Sequence, residues 1–264
     1  MVCRVTVLFP RMAVDLLPAM PHFVAGDDIA QAIIKAARDG CIPLGGDDIV
    51  VVAQKIVSKA EGCNRALSAV NPSQEAQQLE QKTGRPAALC QLILDETQTV
   101  MRATPYAIVT RHKTGHVTAN SGIDSSNVVG GDGDMVLLWP KAPDASAQAI
   151  RAGLRSALGS APAVLIADSL GRAWRQGTLG TTIGCAGIIH TDDRRGQQDM
   201  FGRTLQATVV AVADAIAGFA VLAMGEGAEG TPVAVVRGAG RWITDEDGLG
   251  ATSIMRPADG DLFP

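Results

Sequence analysis

The sequence predicts a mixed α/β fold, close to the α+β type, that differs from the doubly wound sheet of Rossmann domains. Three observations support this fold class. Short apolar runs typical of buried strands, such as IVVVA at 49–53, alternate with stretches whose apolar residues recur at helical spacing. This alternation lacks the regular strand–helix–strand rhythm of a doubly wound sheet. No repeat or Pro/Gly/Ser linker divides the 264 residues, which indicates one continuous unit.

Helical spacing and capping signals predict five helices, at residues 27–37, 74–82, 86–94, 145–158 and 205–224. The first has an acidic N-terminal turn and ends at Asp39-Gly40. Residues 71–73 supply the cap of the second helix, which ends at Thr83-Gly84. Asp144 is expected to cap the fourth helix. The fifth is the most apolar, but Gln206 and Asp214 within it exclude a membrane span.

Strands are predicted at residues 49–53, 106–110, 135–139 and 163–167, and in PVAVVRG from Pro232 onward. The polar tail at 245–264 is expected to lie over the surface. Together with the helices, these strands complete the predicted mixed fold.

Composition and charge exclude several classes of function. The formal net charge is −4, and aromatic residues make up 3% of the chain, so the sequence offers neither a basic surface nor a stacking platform for nucleic acid. The five cysteines are odd in number and form no CxxC pair, which indicates buried thiols in a reducing compartment. Charged residues interrupt the first twenty residues, unlike a signal peptide. The sequence therefore predicts a cytoplasmic protein without a membrane partner.

The first candidate site segment is VAQKIVSKAEG at 52–62. It is predicted as a strand that continues into Gln54, Lys55, Ser58, Lys59 and Glu61. Lysine ammonium groups complement terminal phosphates, so two lysines just beyond a strand suit a phosphate site. The alternative is a solvated strand end. No GxxxxGK[ST] motif occurs, which excludes a Walker loop.

The second segment is TANSGIDSSNVVGGDGD at 118–134, which is rich in side-chain oxygens. Its polar residues are Asn120, Ser121, Asp124, Ser125, Ser126 and Asn127. Oxygen-rich loops of this kind hold hard cations such as magnesium or manganese. The alternative is a turn in which these side chains bond their own backbone.

The third segment is IADSLGRAWRQGTLGTTIG at 166–184, interpreted as a buried strand that continues into a glycine-rich loop. Asp168 and Ser169 stand at the predicted strand end, a common position for a metal ligand. Arg172 and Arg175 could clamp a phosphate or carboxylate. The alternative is that Asp168 caps a helix and pairs with Arg172.

The fourth segment is MGEGAEG at 224–230, which places Glu226 and Glu229 in a glycine-rich loop after the last helix. Gly225 alone is an ordinary helix C-cap. His112 and His116 are four residues apart, but Gly115 and the β-branched neighbours disfavour a helical zinc pair. No GxSxG nucleophile motif occurs, which argues against a serine hydrolase.

Taken together, four segments resemble the coenzyme F-420-0:L-glutamate ligase (gamma-glutamyl ligase) family: KIVSKAEG at 55–62, SGIDSSN at 121–127, ADSLGRAWRQGTLGTTIG at 167–184 and GEGAEGTPVAVVRG at 225–238. The resemblance is colinear from about Met20 to the closing DLF. It leaves residues 1–19 as an N-terminal extension and 20–264 as the catalytic unit. One departure is Gln206, where many members of the family have Glu.

The resemblance implies a GTP-dependent ligase that adds L-glutamate to the lactyl-phospho side chain of the deazaflavin coenzyme. It also implies Mg²⁺ or Mn²⁺ together with K⁺, an unusual mixed α/β fold and an intertwined homodimer. Nucleotide contacts would fall on Met20, Pro21, His22, Phe23, Gln54, Lys55, Lys59, Asn127, Met224, Gly225, Glu226, Gly227, Ala228 and Glu229. Metal ligands would be Asp124, Asp168, Ser169 and Glu226.

The implied reaction passes through an acyl phosphate that the amine of glutamate attacks. Such chemistry needs charge neutralisation and positioning more than a protein nucleophile. Lys55, Lys59, Arg172 and Arg175 are the residues expected to offset the transferring charge. The alternative function is a catalytically silent nucleotide-binding or deazaflavin-binding module that acts as a partner subunit.

Overall fold

The computed structural model describes residues 11–128, 133–256 and 260, and it has the predicted mixed α/β architecture. Within these residues the helices are α1 Ile29–Asp39, α2 Gln54–Ala60, α3 Gln74–Thr83, α4 Ala87–Asp95, α5 Pro143–Leu158 and α6 Val212–Met224. The strands are β1 Ala13–Leu16, β2 Ile49–Ala53, β3 Asn64–Ala66, β4 Thr97–Ala103, β5 Ile108–His112, β6 Val117–Ala119, β7 Met135–Leu137, β8 Ala163–Arg172, β9 Arg175–Ala186, β10 Thr191–Asp193, β11 Val209–Ala211 and β12 Val233–Arg237.

A five-stranded sheet of order β1-β12-β2-β8-β9 forms the centre of the molecule. Because successive side chains of a strand point to opposite faces, each strand contributes to two cores. Val50 and Ile166 pack on one face with residues of α1 and α5. Val51 and Leu165 pack on the other face with residues of α6. The sheet is therefore covered by helices on both sides.

The pairing of β2 with β8 is the only parallel one among the described strand pairs, and it determines where the site forms. Ala53 at the end of β2 lies opposite Ala167 of β8. Since parallel strands end at the same edge, this register brings α2, which begins at Gln54, beside Asp168. The register of the β8–β9 pair shifts between Ile166, which lies opposite Gly184, and Ala167, which lies opposite Thr182, so Ile183 of β9 is the extra residue beside this part of β8.

A second group of elements packs beside the central sheet. Strands β4, β5 and β6 form an antiparallel sheet, and Cys90 and Ile93 of α4 pack on Ile108 of β5. Strands β3 and β7 pair separately. Asp124 forms an isolated bridge with Leu137 of β7, because the backbone N–H groups of the two residues donate to each other's carbonyls at 3.1 and 2.8 Å. This bridge fixes the backbone at Asp124.

Several predicted elements are confirmed within two or three residues. These are α1, α3, α4, β2, β5, β7 and β12. The predicted helix at 205–224 is wrong in its first third, because α6 begins at Val212 and the preceding β-branched residues form β11, which pairs with β10. Asp144 does not cap α5, since the helix begins at Pro143. Its carboxylate instead accepts hydrogen bonds from the backbone N–H groups of Cys185 and Ala251.

The described part of the N-terminal extension joins the central sheet. Residues 13–16 form the edge strand β1, which pairs antiparallel with β12. The first ten residues and the DLF motif at 261–263 lie outside the described residues. Among the residues that are described, no helix combines the length and apolar character needed to cross a bilayer.

Candidate active site

Lys55 and Lys59 follow the end of β2, as predicted, and they lie on helix α2, which was not predicted. The chain turns directly from β2 into this seven-residue helix. Residues four apart lie on the same face of a helix, so both ammonium groups extend from one side of α2. Gln54 is 2% exposed, and its amide donates to the Leu138 carbonyl at 3.4 Å and to the Ser58 hydroxyl at 2.5 Å. Its side chain therefore anchors α2 to the interior.

Lys55 forms an ion pair with Asp124, with 2.7 Å between Nζ and Oδ2. Ser126 donates to the same carboxylate from its backbone N–H at 2.7 Å and from its hydroxyl at 2.9 Å. The local turn considered as an alternative thus exists, and the ion pair is added to it. Burial opposes ionisation of Asp124, but the hydrogen bonds from Lys55 and Ser126 outweigh burial and lower the pKa of this carboxyl below its usual range. Asp124 is therefore anionic at neutral pH.

Asp168 lies within β8, because this strand continues to Arg172 and forms a hairpin with β9. The predicted glycine-rich loop is therefore wrong, and so is the alternative of a helix cap paired with Arg172. The Asp168 carboxylate accepts hydrogen bonds from the indole N–H of Trp139 at 2.8 Å and from the backbone N–H of Ser169 at 2.9 Å. Burial raises the pKa of Asp168 despite these bonds, and the nearby charge of Asp124 raises it further. A cation bound here would favour the ionised form.

The loop after α6 reaches the same edge of the sheet. The hydroxyl of Ser169 donates to Oε1 of Glu226 at 2.5 Å. Within the loop, the N–H of Gly227 donates to the Glu229 carboxylate at 2.8 Å. The side-chain amide of Asn127 donates to the Gly227 carbonyl at 3.4 Å. The third and fourth predicted segments are thus in direct contact.

Lys59 completes the connection between the segments, because its ammonium group donates to the Asn127 carbonyl at 2.7 Å. Burial lowers the pKa of Lys59, and the neighbouring charge of Lys55 adds to this effect. Lys55 is paired with Asp124, whereas Lys59 contacts a neutral carbonyl, so the charge of Lys59 is available to an anionic ligand. The four segments therefore meet in one cluster of lysines, carboxylates and loop carbonyls.

Other predicted site residues lie away from this cluster. Arg172 and Arg175 are exposed at the tip of the β8–β9 hairpin, where Arg172 donates to the Gln176 carbonyl at 3.0 Å. Arg172 follows Asp168 by four residues of extended strand, about 13 Å at roughly 3.3 Å per residue. Their predicted contact with phosphate remains a prediction.

The segment Met20, Pro21, His22 and Phe23 runs beside α1 and α2. Phe23 is buried in the main core at 5% exposure, so its ring is not free to stack on a nucleotide base. Pro21 lines a cavity of about 370 Å³ with Gln31, Lys35 and neighbouring alanines of α1. Met224 is also buried, whereas residues Gly227, Ala228 and Glu229 are exposed and accessible to a ligand.

The carboxylates suit a magnesium or manganese ion that is shared with a substrate. Among the described residues, no group of three or more His, Cys, Asp or Glu side chains is arranged to hold a metal. Mg²⁺ commonly binds through one or two carboxylates, with water and substrate phosphates as its remaining ligands. Asp124 and Asp168 supply this number of hard oxygen ligands beside two lysines. The part of the second segment at 129–132 lies outside the described residues.

Trp139 contacts Asp168 directly but was not predicted as a site residue from the sequence. The available signal was a tryptophan at the end of a predicted buried strand, because a buried indole N–H needs an acceptor. The rings of His112 and His116 both pack against this indole. Their Nδ1 atoms both contact the hydroxyl of Thr114, at 2.8 and 2.9 Å, and His112 lies on strand β5, which confirms that this segment is not helical.

The profile of a family described as F420-0:Gamma-glutamyl ligase matches residues 19–238. The coenzyme F420:L-glutamate ligase of Methanothermobacter thermautotrophicus is 41% identical over 244 residues, which cover 92% of this chain and 95% of that protein. Its namesake in Haloarcula marismortui is 43% identical over 235 residues, 86% of this chain and 87% of the relative. The namesake in Archaeoglobus fulgidus is 40% identical over 231 residues, 86% and 88% of the two chains.

Proposed function

This chain belongs to the F420-0:gamma-glutamyl ligase family, as the sequence resemblance predicted, and we propose that it uses GTP to join L-glutamate to the side chain of the deazaflavin coenzyme F-420-0. Membership in the family supports an enzyme that adds glutamate. The use of GTP, the acyl phosphate intermediate and the metal requirement are the proposed parts.

The observation that supports this proposal most is the cluster formed by all four predicted segments. Lys55 pairs with Asp124, Lys59 contacts Asn127, and Asn127 contacts the loop that carries Glu226. Phosphoryl transfer needs cations around the transferring phosphate, whereas a binding module would not require carboxylates beside the lysines. The cluster offers both kinds of group within one hydrogen-bonded set.

The first proposed step transfers a phosphoryl group. A carboxylate oxygen of the lactyl-phospho side chain attacks the γ-phosphorus of GTP, and the bond from that phosphorus to the β–γ bridging oxygen breaks. GDP leaves with the bonding electron pair, and an acyl phosphate remains. Lys55 and Lys59 lower the barrier by offsetting negative charge on the phosphates as it shifts toward GDP.

The second proposed step forms the amide. The neutral α-amine of glutamate attacks the acyl carbon, the carbon–oxygen bond to phosphate breaks, and inorganic phosphate leaves. The nitrogen then loses a proton to solvent or phosphate. The protein needs no covalent nucleophile for this sequence, because the positions of the two substrates and the charges around them carry the catalysis.

Asp124 and Asp168 would hold Mg²⁺ or Mn²⁺, with Ser169 and Glu226 near a second ion such as K⁺. A divalent ion at this position would neutralise phosphate charge and polarise the phosphoryl group. The chain's own contribution is to keep Asp124 ionised through Lys55 and Ser126 and to hold Asp168 in place through two N–H donors.

An apolar surface on α6 supports the proposed homodimer. Phe219 and Leu222 are 37% and 83% exposed, and Val209 and Val210 of β11 are also exposed. A cavity of about 380 Å³ lies on this side, lined by Met12, Val210, Val212, Ala215, Ile216, Phe219 and Trp242. Apolar surface of this kind often marks a protein interface. Light scattering after size exclusion should give twice the chain mass, and Phe219→Asp should shift it toward the monomer.

The proposal is tested by measuring GDP release with each substrate omitted in turn. We expect GDP to form only when both GTP and the coenzyme precursor are present, and hydroxylamine to trap an activated acyl group when glutamate is left out. ATP in place of GTP is the matched control. The silent-module alternative predicts bound nucleotide with no GDP release under any of these conditions.

A further inference from the structure

We propose that Trp139 is a positioning residue of the active site, whose indole N–H holds the carboxylate of Asp168 in a fixed orientation for cation and phosphate binding. This inference rests on the proposed function. Trp139 touches no substrate group in the proposed reaction, and it acts through Asp168.

The hydrogen bonds around Asp168 leave part of its acceptor capacity free. Trp139 donates to Oδ2 at 2.8 Å, and the N–H of Ser169 donates to Oδ1 at 2.9 Å. An ionised carboxylate has about four lone-pair positions, so each oxygen keeps one for another ligand. With one donor on each oxygen, rotation of the carboxylate breaks both bonds, and the remaining lone pairs therefore keep a defined direction.

The indole is itself held from several sides. Trp139 is 2% exposed. The rings of His112 and His116 lie 4.8 and 5.5 Å from it between centroids, at interplanar angles of 52° and 86°. A Cβ atom at Gly122 would lie 2.3 Å from Nε1 and Cε2 of the indole, so this position has space for glycine only. Gly122 also has a φ of +69°, which favours glycine.

The two histidines are fixed in turn by Thr114, whose hydroxyl contacts both Nδ1 atoms. His112 also lies 3.6 Å from Glu96, measured from Nε2 to Oε2. The indole therefore packs on two hydrogen-bonded histidines in addition to the aliphatic side chains of the main core. A group that hydrogen-bonds to a metal ligand, as the indole of Trp139 does to Asp168, orients that ligand, and its loss typically weakens metal affinity by roughly 10- to 100-fold.

Trp139→Phe tests the role of the N–H, because the substitution keeps an aromatic ring in the pocket and removes the donor. We expect Mn²⁺ binding, followed by electron paramagnetic resonance in the presence of GTP, to weaken by roughly 10- to 100-fold. Trp242→Phe is the matched control, since Trp242 packs under Arg241 in the other core. Trp242 also lines the cavity on the proposed dimer surface, so this variant is compared with the wild type at the same oligomeric state, where its Mn²⁺ affinity should equal that of the wild type.

A second measurement is made on protein that keeps Trp139, so it does not depend on whether Trp139→Phe folds. The indole N–H resonances of the three tryptophans can be followed by NMR. We expect Mg²⁺ added with GTP, and separately Asp168→Asn, to shift the Trp139 resonance while the Trp242 resonance stays in place. A tryptophan that only fills the core, without a hydrogen bond to a ligand of the ion, would not respond to the ion.

The outcomes separate this inference from the proposed function. Unchanged Mn²⁺ affinity in a folded Trp139→Phe variant, or a Trp139 resonance that ignores both Mg²⁺ and Asp168→Asn, overturns the positioning role even if the ligase reaction proceeds. Weakened Mn²⁺ binding and a shifted resonance support it even if no glutamylated product forms, in which case only the proposed reaction fails.

Discussion

The ammonium group of Lys55 lies 2.7 Å from Oδ2 of Asp124, which joins the start of α2 to a loop remote in the sequence. Lys55 also donates to the hydroxyl of Ser126, which itself donates to Asp124. These contacts lower the pKa of Asp124 and keep its carboxylate ionised. The pair places a cation and an anion beside Asp168, as the proposed binding of a metal–nucleotide complex would require.

Asp124→Asn and Asp168→Asn should each lower turnover by more than about a hundredfold, because each removes the negative charge of a proposed metal ligand. Loss of a residue that only hydrogen-bonds to a metal ligand already lowers metal affinity or activity by roughly 10- to 100-fold. Their effects on stability should differ in sign. Asp124→Asn loses a partly exposed ion pair, worth at most about 1 kcal/mol. Asp168→Asn removes a charge that burial disfavours, as the raised pKa of Asp168 indicates, and should raise the melting temperature.

Steady-state rates and thermal unfolding of both variants check this prediction. Near-native turnover of either variant would remove that carboxylate from the site. A lower melting temperature for Asp168→Asn would mean that its charge stabilises the fold in the absence of a metal.

Lys59→Ala should weaken GTP binding and slow the chemical step, because a cation on the transferring phosphate matters more in the transition state than in the ground state. Lys59→Arg should recover little, since a guanidinium is a planar fork rather than a compact point charge. Lys59 could instead form a surface ion pair with the nearby Glu61, but Glu61 accepts a hydrogen bond from Ser146 and Lys59 donates to the Asn127 carbonyl.

Calorimetric GTP affinity and single-turnover rates measure the two effects of Lys59 separately. Lys82→Ala is a suitable control at a lysine on the remote helix α3. If Lys59→Ala leaves both affinity and rate unchanged, Lys59 does not contact the triphosphate.

The cysteines should differ sharply in reactivity. Burial raises the pKa of the Cys185 thiol to about 12, and this residue is 1% exposed, whereas Cys41 is exposed. Only the thiolate is nucleophilic, so iodoacetamide at pH 8 should label Cys41 and leave Cys185 unmodified in the native protein. Peptide mass spectrometry reads both sites, and a urea-unfolded sample is the control. Equal labelling of the two sites in the native protein would contradict the buried state of Cys185.

The free energy of unfolding should decrease as the pH is lowered below about 6.5, the ordinary pKa of histidine. Burial lowers the pKa of His116, and the charge of His112 adds to this effect, although the Thr182 carbonyl and the carboxylates of Asp144 and Asp214 oppose it. A group with a lowered folded-state pKa stabilises the fold fully above its unfolded pKa and loses that contribution as the pH falls toward its folded pKa.

Urea unfolding at pH 8 and at several lower values measures this dependence. The loss on acidification should be smaller in His116→Gln than in the wild type. His22→Gln, at an exposed histidine, should follow the wild-type curve. Parallel curves for His116→Gln and the wild type would show that another group controls the acid sensitivity.

Elements with strong local signals were predictable from the sequence. Ser73 caps α3 by accepting from the Ala76 N–H, and Gly84 ends the helix with a φ of +71°. Helix α2 was missed because it follows a buried strand directly and has no side-chain cap at Ala53. The start of α6 was misplaced because β11 forms by pairing with β10, a contact that no local pattern encodes.

The candidate site was predictable in its residue types but not in its contacts. The sequence indicated lysines and carboxylates in separate segments, and these segments do meet. Their meeting depends on the parallel register of β2 and β8 and on the bridge between Asp124 and Leu137. Both are pairings between distant parts of the chain, so the ion pair of Lys55 and the contact of Trp139 with Asp168 required the structure.

The most direct test of the account is the mass of the deazaflavin product after incubation with GTP, L-glutamate and Mn²⁺, using side-chain variants of the coenzyme precursor as substrates. We expect a product heavier by one or more glutamyl units, with GDP formed in proportion, and no such product with Asp168→Asn. No mass increase with any side-chain variant, from wild-type protein that demonstrably binds GTP, would contradict the ligase function and favour the silent binding module.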